Sequence, residues 1–210
     1  MGYVQVNGAQ LYYETSGSGR PLVLSHGGWT DTSHWSPNVG DLARRWQVIV
    51  YDRRDCGRSS GPSGEAHSWQ LWRDDLRGLL EALGIESAYL GGCSYGALIS
   101  LELALDRPQM AKALILESGT PDGIVGDGPE LVPFPSRAAD LGRIQVPTLI
   151  VQGEYDPFWP PPVAERLQAG IAGSELLVVP GAGHVPHLDD PDLFNRTVEA
   201  FLARVEANAD

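Results

Sequence analysis

Leu90-Gly91-Gly92-Cys93-Ser94-Tyr95-Gly96-Ala97 decides the reading of this chain. It has the form G-x-S-x-G, with Ser94 at the centre. A serine placed on a sharp strand-to-helix turn sits in strained backbone, and side chains two residues either way would collide, so Gly92 and Gly96 have a physical reason to be there. Ala97 lets the helix lie close to the strand. Such a turn lifts the Ser94 hydroxyl clear of a sheet and aims the Tyr95 amide at an oxyanion.

The flanks supply the context the motif needs. Ser87-Ala88-Tyr89-Leu90 is a short apolar strand candidate. Leu98, Leu101, Leu103, Ala104 and Leu105 continue as an apolar helix until Arg107-Pro108 stops it.

Further out, Tyr3–Val6 and Leu11–Thr15 predict a hairpin through Asn7-Gly8. Pro21–Ser25 and Gln47–Tyr51 are apolar strands, with a helix over Ser36–Arg45 between them. Trp69, Trp72, Leu76, Leu79, Leu80 and Leu83 recur at helical spacing, and the tryptophan pair reads as core. Strands follow at Lys112–Glu117, Val146–Val151 and Glu175–Val179, and helices at Pro162–Ala169 and Asp192–Val205. Ser118–Gln145 reads as loop, with one short helix at Ser136–Leu141. Continuous apolar strands alternating with helices predict an α/β fold with a mostly parallel sheet covered on both faces.

With 210 residues, the whole chain, 1–210, is expected to form a single domain. Hydrophobic residues make up 42% and charged residues 20%, the balance of a globular protein. A formal net charge of −12 argues against nucleic acid and anionic membrane surfaces as partners. Cys56 and Cys93 form neither a metal-ligand spacing nor a disulfide framework, so both are expected to be reduced thiols in a cytoplasmic protein. The N-terminus carries no signal-peptide pattern, and no 18-residue apolar stretch predicts a membrane span.

An attacking serine needs a base, and the base needs an orienting acid. Asp156 lies just past a strand, 62 residues after Ser94, and His184 just past the last strand, 28 residues further on. All three fall at carboxyl ends of strands, where open parallel sheets build sites. Glu154 is the rival acid and His187 the rival base. His26 reads as a residue that holds its loop, and His34 and His67 as solvated.

These motifs resemble the α/β-hydrolase superfamily, close to its small esterases, non-haem haloperoxidases, lactonases and C–C bond hydrolases. The matching segments are His26-Gly27-Gly28-Trp29, Asp52 to Ser59, the turn at Ser94, Gly153 to Asp156, and Gly181 to His187. The resemblance implies a nucleophile at Ser94, an acid at Asp156, a base at His184, and an oxyanion hole from the amides of Gly28 and Tyr95, with Trp29 as the alternative first donor. It implies a serine carboxylesterase acting on a small-molecule ester, with no metal and no organic cofactor. Lactonase, C–C hydrolase, perhydrolase or cofactor-free lyase chemistry would use the same residues, and a ligand-binding member of the fold is a further alternative.

There are two departures from the family pattern. Asp55 stands where glycine is usual. The segment 118–146 spans only 29 residues where a helical cap of several tens is usual, so the cap is expected to be nearly absent. An open, shallow site edged by Trp29, Tyr95, Phe134, Phe158 and Trp159 follows. Apolar surface left by the missing cap suggests a homodimer that covers part of the site.

Overall fold

The computed structural model describes residues 1–62, 67–124 and 132–208. An eight-stranded sheet runs β1 (Gly2–Val6), β2 (Ala9–Ser16), β4 (Gln47–Tyr51), β3 (Pro21–Ser25), β5 (Ala88–Cys93), β6 (Ala111–Glu117), β7 (Thr148–Gly153), β8 (Glu175–Val179). β2 runs antiparallel to both of its neighbours, β1 and β4; every pair from β4 to β8 is parallel. The β1–β2 turn places Asn7 and Gly8 at φ of 46° and 78°, the left-handed pair that Asn-Gly supplies.

Helices α2 (Trp69–Ala82), α3 (Tyr95–Asp106) and α4 (Pro161–Gly170) cover one face of the sheet. Helices α1 (Ser36–Leu42) and α5 (Pro191–Ala207) cover the other. Helix α2 is amphipathic as its spacing predicts, burying Trp69, Trp72, Leu76, Leu79 and Leu80, and Ser68 caps its start by accepting the Leu71 N–H at 3.1 Å. Helix α3 is apolar all round because it is enclosed: every residue from Tyr95 to Leu105 is buried.

The segment between β6 and β7 is short, and its described residues are mostly irregular; the cap is nearly absent. Residues 125–131, part of that segment, lie outside the described residues. The short helix expected at Ser136–Leu141 does not form. A turn replaces it, followed by a 3-10 turn at Leu141–Arg143, and Arg137 pairs with the buried carboxylate of Glu102 on α3. Among the described residues, no helix is long and apolar enough to cross a membrane.

Candidate active site

The β5–α3 turn holds Ser94 at φ 53° and ψ −114°, a strained conformation for a residue with a side chain. Backbone crowding explains the two glycines. A Cβ at Gly92 would lie 2.3 Å from the backbone of Gly96, and one at Gly96 would lie 2.0 Å from the carbonyl oxygen of Ser25. The Ser94 N–H donates to the Glu117 carbonyl at 2.8 Å, tying the turn to β6.

Asp156 follows β7, and His184 lies in the loop after β8. His184 Nδ1 and Asp156 Oδ2 are 2.8 Å apart. An ionised carboxylate only accepts, so Nδ1 carries the proton and Nε2 is the free, basic nitrogen. Gln152 donates to the same Oδ2 at 2.9 Å, and the amides of Phe158 and Trp159 donate to Oδ1 at 2.8 and 3.1 Å. Burial works against ionisation of Asp156, but the His184 hydrogen bond and the two amides outweigh it, and its pKa lies below the ordinary carboxylate value.

Ser94 and His184 line one cavity of about 640 Å³, together with Gly28, Trp29, Tyr95, Phe158 and Trp159. No hydrogen bond joins Ser94 Oγ to His184. Such contacts are often long without substrate and tighten when it binds. Trp29 is 71% and Phe158 67% exposed, so the mouth is open and aromatic. Phe158 meets the His184 ring edge-on at 4.8 Å, and Trp159 lies 5.3 Å from it.

Phe134, expected at the edge of the site, lies elsewhere. It is not among the pocket residues. It is 2% exposed, packed edge-on against Trp69 at 4.8 Å, where its ring completes the apolar cluster over α2 and α3.

The rival residues are engaged elsewhere. Glu154 is exposed, and its Oε2 accepts the Gly181 N–H at 2.8 Å. His187 is fully buried. Its N–H and Nδ1 meet Glu117 at 2.7 and 2.6 Å, and Nε2 donates to the His34 carbonyl at 3.0 Å. Cys93, Glu117 and His187 present ligand-type atoms within 4.8 Å of one another, but both ring nitrogens of His187 are already taken.

His34 is not solvated. It lines the cavity, packs edge-on to His187 at 4.5 Å, and burial lowers its pKa to about 3. His67 is half-buried and bonds Asp55 at 2.9 Å. His26 does hold its loop: Nε2 accepts the Arg53 N–H at 3.0 Å, and Nδ1 faces the Gly27 carbonyl at 2.8 Å. The Glu117–His187 pair and Gln152 carried no signal in the sequence, because nothing local marks a glutamate at a strand end or a glutamine inside a strand as a partner.

A family model described as "alpha/beta hydrolase fold" matches residues 20–136. The chain belongs to the α/β-hydrolase family. A second model, "Alpha/beta hydrolase family", matches residues 126–197 of this hydrolase. It is 28% identical to "Putative carbamate hydrolase RutD" of Azorhizobium caulinodans, over 98% of this chain and 100% of the relative. That alignment runs over 265 positions against 210 residues here, so the relative carries residues this α/β hydrolase lacks. Among solved structures, the enol-lactonase from Burkholderia xenovorans LB400 superposes with a TM-score of 0.89 at 22% identity, covering 96% of this chain and 100% of that one. A thermophilic esterase from Thermogutta terrifontis gives 0.87 at 22%, covering 97% and 98%. Est816, described as an N-acyl homoserine lactone degrading enzyme, gives 0.85 at 25%, covering 95% and 100%.

Proposed function

We propose that this α/β hydrolase cleaves small, uncharged carboxylic esters through an acyl-enzyme on Ser94. The observation that carries the reading is the 2.8 Å Asp156–His184 contact beside the strained Ser94, with both Ser94 and His184 on one cavity. His184 Nε2 takes the Ser94 proton as Oγ bonds to the ester carbonyl carbon. Asp156 holds the ring and stabilises the imidazolium. The amides of Gly28 and Tyr95 receive the oxyanion. His184 returns the proton to the departing alcohol. Water then repeats the sequence and releases the acid.

The lining supports uncharged substrates. It includes no Arg, Lys, Asp or Glu side chain among the described residues, and His34 is neutral at ordinary pH. Trp29, Phe158 and Trp159 favour an apolar acyl or alcohol group.

A carbamate is the second reading, favoured by the name of the RutD relative. Its carbonyl would meet the same nucleophile and the same two amides. The discriminating experiment is steady-state turnover of para-nitrophenyl esters from acetate to decanoate, a γ-lactone and an aryl carbamate. Ester turnover well above that of carbamate supports the first reading, and the reverse order supports the second. No turnover of any of them rejects both.

A further inference from the structure

Two adjacent arginines follow Asp52, and they have opposite environments. Arg54 is paired in the ordinary way, with Nε and Nη2 donating to Asp75 at 2.9 and 2.8 Å. Arg53 is 4% exposed and meets no carboxylate among the described residues. Its Nη2 donates to the Gly27 carbonyl at 2.7 Å, and its Nε has no hydrogen-bond partner. The rest of the guanidinium lies 5.0 Å from the Trp72 ring and 5.7 Å from the Tyr95 ring. A cation taken out of water and left without a counter-ion is costly, and ring faces offset only part of that cost.

Among the described residues, the one oxygen this guanidinium donates to belongs to the Gly27–Gly28 peptide. That peptide is trans, so its C=O and N–H point in opposite directions. The carbonyl faces inward, toward Arg53 and His26 Nδ1. The Gly28 N–H is therefore directed away from them. It has no acceptor among the described residues, and Gly28 lines the cavity beside Ser94. A Cβ at Gly27 would lie 3.8 Å from Ser94 Cβ, so this peptide runs directly past the serine.

We propose that Arg53 is a positioning residue of the oxyanion site: its buried charge fixes and polarises the Gly27–Gly28 peptide and strengthens the Gly28 N–H as a donor. The chemical consequence rests on the ester-hydrolase reading. A cation on the carbonyl end withdraws density from the peptide, and because Arg53, His26 and Gly27 are buried that polarisation carries across to the N–H with little screening. The donor is then aimed before substrate arrives and gains most when negative charge develops on the substrate oxygen.

The test uses ¹⁵N-labelled wild type, Arg53→Lys and Arg53→Met. The Gly28 amide proton resonance is read in each, together with kcat and KM for para-nitrophenyl acetate. Arg53→Met is expected to move the Gly28 resonance upfield, with Arg53→Lys between it and the wild type. It should lower kcat roughly tenfold with KM little changed, less than the hundredfold or more that follows deletion of a donor. An unmoved Gly28 resonance, or kcat held at the wild-type value, overturns the proposal. So does a loss of kcat and KM together with melting temperature, the pattern of a scaffold residue. If Arg53→Met does not fold, the Lys variant alone decides between these patterns. A wild type that turns over no ester while Gly28 still shifts would remove the esterase reading and leave the polarised peptide standing.

Discussion

Glu117 takes both the backbone N–H and the Nδ1 of His187, at 2.7 and 2.6 Å, in a fully buried pair at the end of β6. His187 is three residues past His184, and Asn38 holds its carbonyl at 3.2 Å. The loop that carries His184 is thus anchored by every polar group of His187. Glu117→Ala would leave two buried donors without acceptors, each costing about 1–3 kcal/mol. Urea unfolding should show a loss of about 2–6 kcal/mol. Destabilisation below 1 kcal/mol would mean that the loop is held by other contacts.

The β5–α3 turn tolerates no side chain at Gly92 or Gly96. At Gly96 an added methyl meets the Ser25 carbonyl oxygen at 2.0 Å, a backbone atom in the middle of the sheet that cannot step aside. Gly96→Ala should cost about 3 kcal/mol or more. The measurement is the urea midpoint, and a variant within 1 kcal/mol of wild type would show that β3 can shift.

His34 makes stability depend on pH. Its folded pKa is about 3, against 6.5 for an ordinary histidine, so the folded state keeps it neutral while the unfolded chain takes up a proton. Above pH 6.5 it has no effect. Between pH 6.5 and about 3 it progressively favours unfolding. His34→Gln, which stays neutral, should flatten the stability curve across that window relative to wild type. Parallel curves would contradict the neutral His34.

Phe134 and Phe158 should behave oppositely when cut to alanine. Phe134 sits in the core against Trp69, so its loss should cost about 3–5 kcal/mol and leave the preference for ester chain length unchanged. Phe158 is exposed beside His184, so its loss should leave stability within about 0.5 kcal/mol and raise KM for long-chain esters. Thermal melts and a chain-length series separate the two.

The residues legible in the sequence were those whose reason is local. Asn7-Gly8 announces its turn through backbone preference, and the tryptophans and leucines of α2 announce their buried face through spacing. Gly92 and Gly96 mark the β5–α3 turn because the crowding arises within the turn and β3 beneath it. What sequence could not show depends on contacts across the chain. Phe134 is the only aromatic residue of a short segment, and only the fold reveals that it turns inward onto Trp69. His34 is indistinguishable from a surface histidine until His187, far along the chain, packs against it. Asp55 occupies the position where glycine is usual at φ 57°, a conformation aspartate tolerates better than most residues. Its Oδ1 accepts the Gly61 N–H at 2.6 Å, a contact no glycine could make.

The central claim is an acyl-enzyme on Ser94, aligned by Asp156 and His184. The most direct measurement is rapid mixing with para-nitrophenyl acetate followed by acid quench and intact-mass analysis, for wild type and Ser94→Ala. The account predicts a burst of nitrophenol in the wild type, one added acetyl group that peptide mapping places on Ser94, and neither in the variant. Turnover by wild type with no adduct, or an equal burst from Ser94→Ala, would contradict it.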